Sequence, residues 1–333
     1  MSDIAEKLGV SKNSVSLTLN NKSGVGEDLR RKIIDTAKQM NYGKYSATEN
    51  DKSNCIVLIV PEYLRNDNFF YFDVLWAIEK EAKEEICMSI ITSVSQSAEQ
   101  ELTLPSLPQD MNIIGLLVIG ILSEVYIQKL YQLKYPIVTV DISYYTVPVT
   151  SICSSNLTGG YIATKYLIEA GHQEIGFIGP IYSAQSVYER WCGFSQALSH
   201  HELPINPKHN IIGEYGVFQL FDTIEVLEPY LDHFSTFPTA WFCAGDRIAA
   251  TLMSLLTKRG LKIPDDISIV GFDDIALSQM IIPPLTTIHV DRKRMGQVAV
   301  QQLIQNYNNN IKDVVLHMTL PCNLVVRNSV KHL

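Results

Sequence analysis

No apolar run in the sequence approaches the roughly 18 residues that cross a membrane as a helix. The opening MSDIAEKLGV also lacks the basic-then-apolar order of a secretory signal. These absences exclude a helical membrane protein and an exported one, and the expected location is the cytoplasm. Cysteine is scarce and scattered: Cys55, Cys87, Cys153, Cys192, Cys243 and Cys322 form neither a Cys-x-x-Cys pair nor a Cys/His cluster. A zinc site and a disulfide scaffold are therefore not expected, and the thiols read as buried and free. Nor does the chain contain a G-x-x-x-x-G-K-[ST] phosphate loop, a G-x-G-x-x-G fingerprint or a G-x-S-x-G elbow. The residues call for no catalytic constellation, metal or cofactor, and an enzyme is not expected.

The composition is that of a soluble globular protein, with 46% hydrophobic and 19% charged residues. At 333 residues the chain is long enough for two or three compact units. A net charge of -8 argues against a nucleic-acid partner until its distribution is examined. Met1 to Lys52 carries nine Lys and Arg against seven acids, a balance of +2, so the remainder holds -10. A mildly basic head on an acidic body suits a protein that offers nucleic acid only its first segment.

That head reads as three short helices. The first covers about Asp3 to Leu8 and stops at Gly9. Ser11 caps a second, Lys12 to Leu19, whose Val15 and Leu19 share a face, and Asn20 and Asn21 end it. A third spans Gly26 to Met40, with Glu27 and Asp28 in its first turn and Ile33, Ile34, Ala37 and Met40 on an apolar stripe. Residues 1–43 form this domain. Residues 44–54, KYSATENDKSN, are polar and without periodicity, the signature of a linker. From Cys55 onward, strand-length apolar runs (CIVLIV, MSIITS, IIGLLVIG, YPIVTVD) alternate with amphipathic helices, and the rhythm restarts at Gly159. The fold class is α/β: an all-α head followed by two parallel-sheet lobes over residues 55–333. Ligands of such sheets bind beyond the carboxyl ends of the strands, which places an effector between the lobes.

The run Ile4 to Ser16, IAEKLGVSKNSVS, resembles the helix-turn-helix head of the lactose/galactose repressor family. Gly171 to Gly179 (GHQEIGFIG), Val270 to Asp274 (VGFDD) and Pro283 to Ile288 (PPLTTI) are similar to that family's recurrent blocks, in the same order. The resemblance implies a cytoplasmic homodimer whose heads read a pseudo-palindromic operator in double-stranded DNA. It also implies a sensor with the two-lobed fold of periplasmic sugar-binding proteins, the chain crossing between lobes three times. Lobe one then takes about 55–157 plus 287–318, and lobe two about 158–286 plus 319–333.

A recognition helix places its N-terminal side chains near base edges in the major groove. Lys12 can donate to guanine and Asn13 can bond adenine bidentately, each good pair giving about 1 to 3 kcal/mol of discrimination. Ser14, Ser16, Asn20 and Asn21 suit phosphates. Ser11 reads first as the N-cap, a position that can also face a phosphate. The asparagines have a plain alternative as turn formers. Leu17 stands where the family commonly has an arginine, exchanging a guanine contact for apolar contact with a thymine methyl. Met1 sits almost on the first helix, where relatives have residues ahead of it, and an upstream start or a truncated chain is the expectation. The linker has neither the arginine nor the minor-groove leucine of relatives. A hinge helix therefore either forms differently or does not form.

For the effector, the resemblance assigns Arg190, whose forked donors suit paired hydroxyls or a carboxylate. An ion pair with Glu189 is the alternative. Asp273 is assigned as the hydroxyl acceptor, ahead of Asp274, which reads as a helix cap. Phe69 and Phe70 lie where relatives set an aromatic ring on the ligand, and one of the two is expected to pack in the core instead. Tyr215 offers a second stacking surface. Asp246 follows Gly245, which replaces a usual asparagine, and Arg292 replaces a usual aromatic. Two arginines, Arg190 and Arg292, point to a sugar phosphate as readily as to a sugar, unless Arg292 faces solvent with Asp291. His172 reads as a structural turn residue.

The function expected is an effector-controlled transcription regulator, usually a repressor, in which ligand closes the lobes and changes the spacing of the two heads. Inducer and co-repressor use the same parts, so the sign stays open. A transport-type solute-binding protein is the alternative, and it would need the export signal this sequence lacks.

Overall fold

The computed structural model describes residues 1–19, 24–39, 53–66, 69–213, 221–309 and 314–333. Asn20, Asn21, Met40, Tyr215 and linker residues 44–52 lie outside the described residues. The chain divides into two compact units, Met1–Ser53 and Asn54–Leu333.

In the first unit, α1 (Ser2–Leu8), α2 (Lys12–Leu19) and α3 (Glu27–Gln39) enclose a small core of Ile4, Ala5, Val15, Ile33 and Ala37, with Leu8, Leu19 and Leu29 against it. Gly9 ends α1 in the left-handed conformation at φ 63°, which lets the Val10 amide reach back to the Ala5 carbonyl. The three residues from Gly9 to Ser11 are the whole turn between α1 and α2.

The second unit contains two sheets. Lobe one is built from β1 (Asn54–Pro61), α4 (Phe70–Glu84), β2 (Met88–Val94), α5 (Gln96–Gln100), β3 (Asn112–Ile119), α6 (Glu124–Tyr131), β4 (Ile137–Val140) and β5 (Thr150–Ser154). Lobe two follows with α7 (Asn156–Glu169), β6 (Ile175–Ile178), α8 (Gln185–His200), α9 (Ile224–Leu231), β7 (Ala240–Cys243), α10 (Asp246–Lys258), β8 (Ser268–Asp273), α11 (Leu277–Met280) and β9 (Thr286–His289). The chain then returns through α12 (Arg292–Asn308) and β10 (His317–Leu320) to lobe one, and ends in lobe two with β11 (Asn323–Val325). The sheet orders are β10-β5-β4-β3-β1-β2 and β11-β9-β8-β7-β6. All pairings are parallel except β11 with β9. β1 shows why the apolar runs are continuous: Ile56, Leu58 and Val60 enter the core on one face, while Cys55, Val57 and Ile59 fill the other.

The three crossings are present, but their positions differ from those expected. Thr287–His289 belong to lobe two, because β9 is held between β8 and β11. Thr319 and Leu320 belong to lobe one, where β10 pairs β5, and α7 packs on lobe two from Asn156 onward. Beside β6, Ile211 adds a single parallel bridge to Ile178.

Candidate functional site

In the first unit, the Ser11 Oγ accepts the Ser14 amide at 3.0 Å and lies 2.9 Å from the Ser14 hydroxyl. Ser11 therefore caps α2, and its oxygen is directed at its own helix. Val15 and Thr18 turn into the core, leaving Lys12 and Asn13 exposed at the start of α2 and Ser14, Ser16 and Leu17 half-buried. A leucine at position 17 fits that half-buried place: its Cδ1 lies 3.5 Å from where a Cβ on Gly24 would stand.

In the second unit, the carboxyl ends of both sheets face a cavity of about 380 Å³. Lobe one lines it with Tyr63, Leu64, Phe69, Phe70, Tyr71, Ile121 and Asp141; lobe two with Val187, Arg190, Phe221, Asp222, Gly245, Arg247, Asp273 and Ile275, among others.

Arg190 is only 5% exposed. It is carried on α8, which approaches α7 so closely that a Cβ on Gly160 would stand 2.3 Å from the Arg190 carbonyl oxygen. Its Nε donates to Asn156 Oδ1 at 2.9 Å, and Nη1 to the Ala244 carbonyl. Nη2 stands 3.3 Å from Asp273 Oδ1, and the guanidinium carbon lies 3.7 Å from the centre of the Phe272 ring. The ion pair with Glu189 is not what forms; Glu189 instead meets Asn156 and Gln185. Across the cavity, Arg247 pairs with Asp222, and its guanidinium carbon lies 5.8 Å from the Phe69 ring of lobe one.

Asp273 and Asp274 are consecutive residues with positive φ, 106° and 51°. Non-glycine residues held there cost of order 1–3 kcal/mol each, and such strain persists only where the surroundings over-determine it. Here they do. Asp274 is fixed by Arg327 at 2.6 Å, His289 at 2.9 Å and Ser278 at 3.2 Å. Burial works against its charge, yet the bonds from Arg327 and His289 outweigh it and leave the carboxyl below its ordinary value. Asp274 is thus the structural member of the pair, and Asp273 faces the cavity.

Nothing local in the sequence singles out Asp141. It follows β4 at the carboxyl end, the same place that Asp273 takes on β8, and so the strand-end rule that points to Asp273 applies to it equally. Its Oδ2 accepts from the Tyr71 hydroxyl at 3.1 Å, while Oδ1 is shut off from solvent with no partner among the described residues. Burial pushes its carboxyl up to about 7, with Arg190 opposing and Asp273 adding to the rise.

Two expected effector residues lie elsewhere. Asp246, the first residue of α10, is fully buried and does not line the cavity: it accepts from Thr287 Oγ1 and, at 2.9 Å, from the Ile275 amide. Its carboxyl is raised by burial and then by Asp273, and it ties α10 to β9 and the Ile275 loop. Arg292 does not line the cavity either; its donors go to Asp73 and to the carbonyls of Asp273 and Asp274. Arg190 and Arg292 therefore do not converge on a phosphate. Phe69 and Phe70 both line the cavity. His172 is buried between Thr239 and Ser268, as a structural residue is. Among the described residues no group of His, Cys, Asp and Glu has the arrangement of a metal site, and no helix is long and apolar enough to cross a membrane.

A family model described as bacterial regulatory proteins, lacI family, matches residues 1–44, and a periplasmic binding protein-like domain matches residues 164–330. The chain belongs to the lacI family. The HTH-type transcriptional repressor PurR of Vibrio parahaemolyticus serotype O3:K6 is 28% identical over 333 residues, covering 99% of this chain and 98% of the relative. PurR of Haemophilus influenzae (strain PittEE) is 29% identical over 336 residues, with the same coverage. Among solved structures, the lac repressor dimer bound to operator and the anti-inducer ONPF superposes with a TM-score of 0.71 at 26% identity over 99% of this chain and 98% of that one. The transcriptional regulator CelR–cellobiose complex shares the fold, with a TM-score of 0.72 at 20% identity and 98% coverage of each chain. As a lacI-family member the protein is a DNA-binding transcriptional repressor with a ligand-binding sensor, and not an enzyme.

Proposed function

We propose that the protein acts in the cytoplasm as a homodimer on a pseudo-palindromic operator, under the control of a neutral ligand rich in hydrogen-bond donors, of which a carbohydrate is the best fit. The observation that carries the ligand class is Asp141 Oδ1, an enclosed acceptor on the cavity wall without a partner among the described residues. A buried acceptor left unmatched costs about 1–3 kcal/mol, so a ligand hydroxyl that reaches it gains affinity. The charges argue against a phosphate: Arg190 is matched by Asp273 and Arg247 by Asp222, which leaves no unmatched cation among the described lining residues. A flat nitrogen heterocycle is the second reading, favoured by the rings of Phe69, Phe70 and Phe221 together with acids that accept N–H groups.

For the homodimer, the support is an exposed apolar face on lobe one. Phe72 and Trp76, one turn apart on α4, are 49% and 58% exposed, and Ile91, on the edge strand β2 and on the same side of the sheet as α4, is 60% exposed. A monomer rarely leaves an edge strand with so large an apolar patch uncovered. For the operator, Lys12 and Asn13 stand free of the head's own core at the start of α2.

Titration calorimetry with ribose, cellobiose, hypoxanthine and glucose 6-phosphate tests the ligand class. A neutral sugar is expected to bind, and Asp141→Ala to weaken it about tenfold or more. Equal or tighter binding of the phosphate overturns the choice of a neutral ligand, and hypoxanthine alone binding moves the conclusion to the heterocycle. Selection from a random duplex library should enrich a two-fold symmetric site that Lys12→Ala and Asn13→Ala degrade at particular base pairs, by about 1–3 kcal/mol each.

A further inference from the structure

Arg292 lies outside the cavity lining, yet its guanidinium joins three groups that belong to different parts of the sensor. It is the first residue of α12, a lobe-one helix that packs on α4, β3, β4 and β5. Its Nε donates at 3.0 Å to Asp73 Oδ2, in the first turn of α4. Its Nη1 donates to the Asp273 carbonyl and its Nη2, at 3.3 Å, to the Asp274 carbonyl, both in lobe two. The side chain is 11% exposed, so these bonds form with little competition from water.

We infer that Arg292 is a positioning residue that couples the cavity carboxylate Asp273 in lobe two to helix α4 in lobe one. Three observations combine. The positive-φ pair Asp273–Asp274 turns two successive carbonyls toward one guanidinium fork, and a planar fork with fixed donor directions holds them in a way a single ammonium cannot. The opposite side of Asp273 is held by Arg190, so the residue is gripped from lobe two by its carboxylate and from lobe one by its carbonyl. Asp73 lies between Phe72, on the exposed apolar side of α4, and Val74, in the core. A change in how Asp273 is occupied therefore reaches, through Arg292 and Asp73, the helix that carries the uncovered face. Phe70, whose ring centre is 5.8 Å from the Arg292 guanidinium, brings the cavity wall into the same cluster.

The coupling rests on the effector reading for its purpose but not for its existence, and the test separates the two. Hydrogen exchange followed by mass spectrometry on the ligand-free, full-length protein compares wild type, Arg292→Gln, Arg292→Lys and Asp73→Asn. Arg292→Gln is expected to speed exchange about tenfold in both 70–76 and 273–278, with Arg292→Lys intermediate. Asp73→Asn, a half-exposed change on α4 whose hydrogen bond and ion pair among the described residues are with Arg292, should also speed 273–278, and should add nothing when combined with Arg292→Gln. Faster exchange confined to 70–76 and 292–296, with 273–278 at the wild-type rate, makes Arg292 a packing residue of lobe one and overturns the coupling. An unchanged 273–278 in Asp73→Asn overturns it equally, an outcome available even if Arg292→Gln does not fold. A failed sugar panel would remove the effector reading and leave these exchange rates as they are.

Discussion

The two walls of the cavity are built on opposite principles. Lobe two lines it with charges that already have partners: Arg190 with Asp273, Arg247 with Asp222. Lobe one lines it with rings and with Asp141, which has one oxygen bonded to Tyr71 and one unmatched among the described residues. A wall of matched charges keeps its shape when empty, because each group is held by another. A wall with an open acceptor is completed only by what enters. The cavity therefore divides into a preformed half and a half with an acceptor left for a ligand to meet.

The sharpest way to break that comparison is at the preformed wall. Arg190→Ala removes the cation over Phe272 and leaves Asp273 and Asn156 without their buried donor, which should cost about 3–5 kcal/mol of stability in denaturant titration. A loss of less than about 1 kcal/mol would mean that Asp273 is held by its other contacts alone. A smaller effect should separate two aspartates that the sequence places together in the effector site. Asp246→Asn replaces one of two occupied acceptor oxygens by a donor, at about 1–3 kcal/mol of stability, with sugar affinity near wild type. Asp273→Asn should do the reverse, and equal affinity losses in the two variants would return Asp246 to the ligand site.

A comparable effect is a pH dependence from the unfinished wall. A carboxyl whose folded value is raised to about 7 binds its proton more tightly in the native state than in the unfolded chain. Its contribution to stability is then complete below the ordinary carboxyl range and is lost as pH rises through about 7. Asp141→Asn cannot titrate, so its stability should fall less than that of the wild type between pH 5 and about 8 in the ligand-free protein. Parallel curves would show that Asp141 ionises as freely folded as unfolded.

The sequence carried much of this, for physical reasons that differ from residue to residue. Periodicity exposes what is repeated, so the strands, the three helices of the head and the Ser11 cap were legible. Asp273 was legible because it ends a strand inside a recognisable block. Asp141 ends a strand too, and nothing local marks that its second oxygen is enclosed. Asp246 and Arg292 sit where a ligand contact is expected, but a position in sequence does not fix where a side chain points. Asp246 turns to Thr287 and Arg292 to Asp73, partners 41 and 219 residues away. The lobe boundaries shifted for the same reason: β9 and β10 are assigned by the strands they pair with, which no local pattern announces.

The triple crossing of the chain has a consequence for how the molecule is made. Lobe one opens at Asn54, but its edge strand β10 is supplied by His317–Leu320, after nearly all of lobe two has been synthesised. A ribosome therefore finishes the first-begun lobe almost last. Lobe two in turn waits for β11 at Asn323–Val325 to cover β9. A chain cut before residue 317 would leave both sheets with an uncovered strand, and a nascent chain passes through that same exposed state each time it is translated.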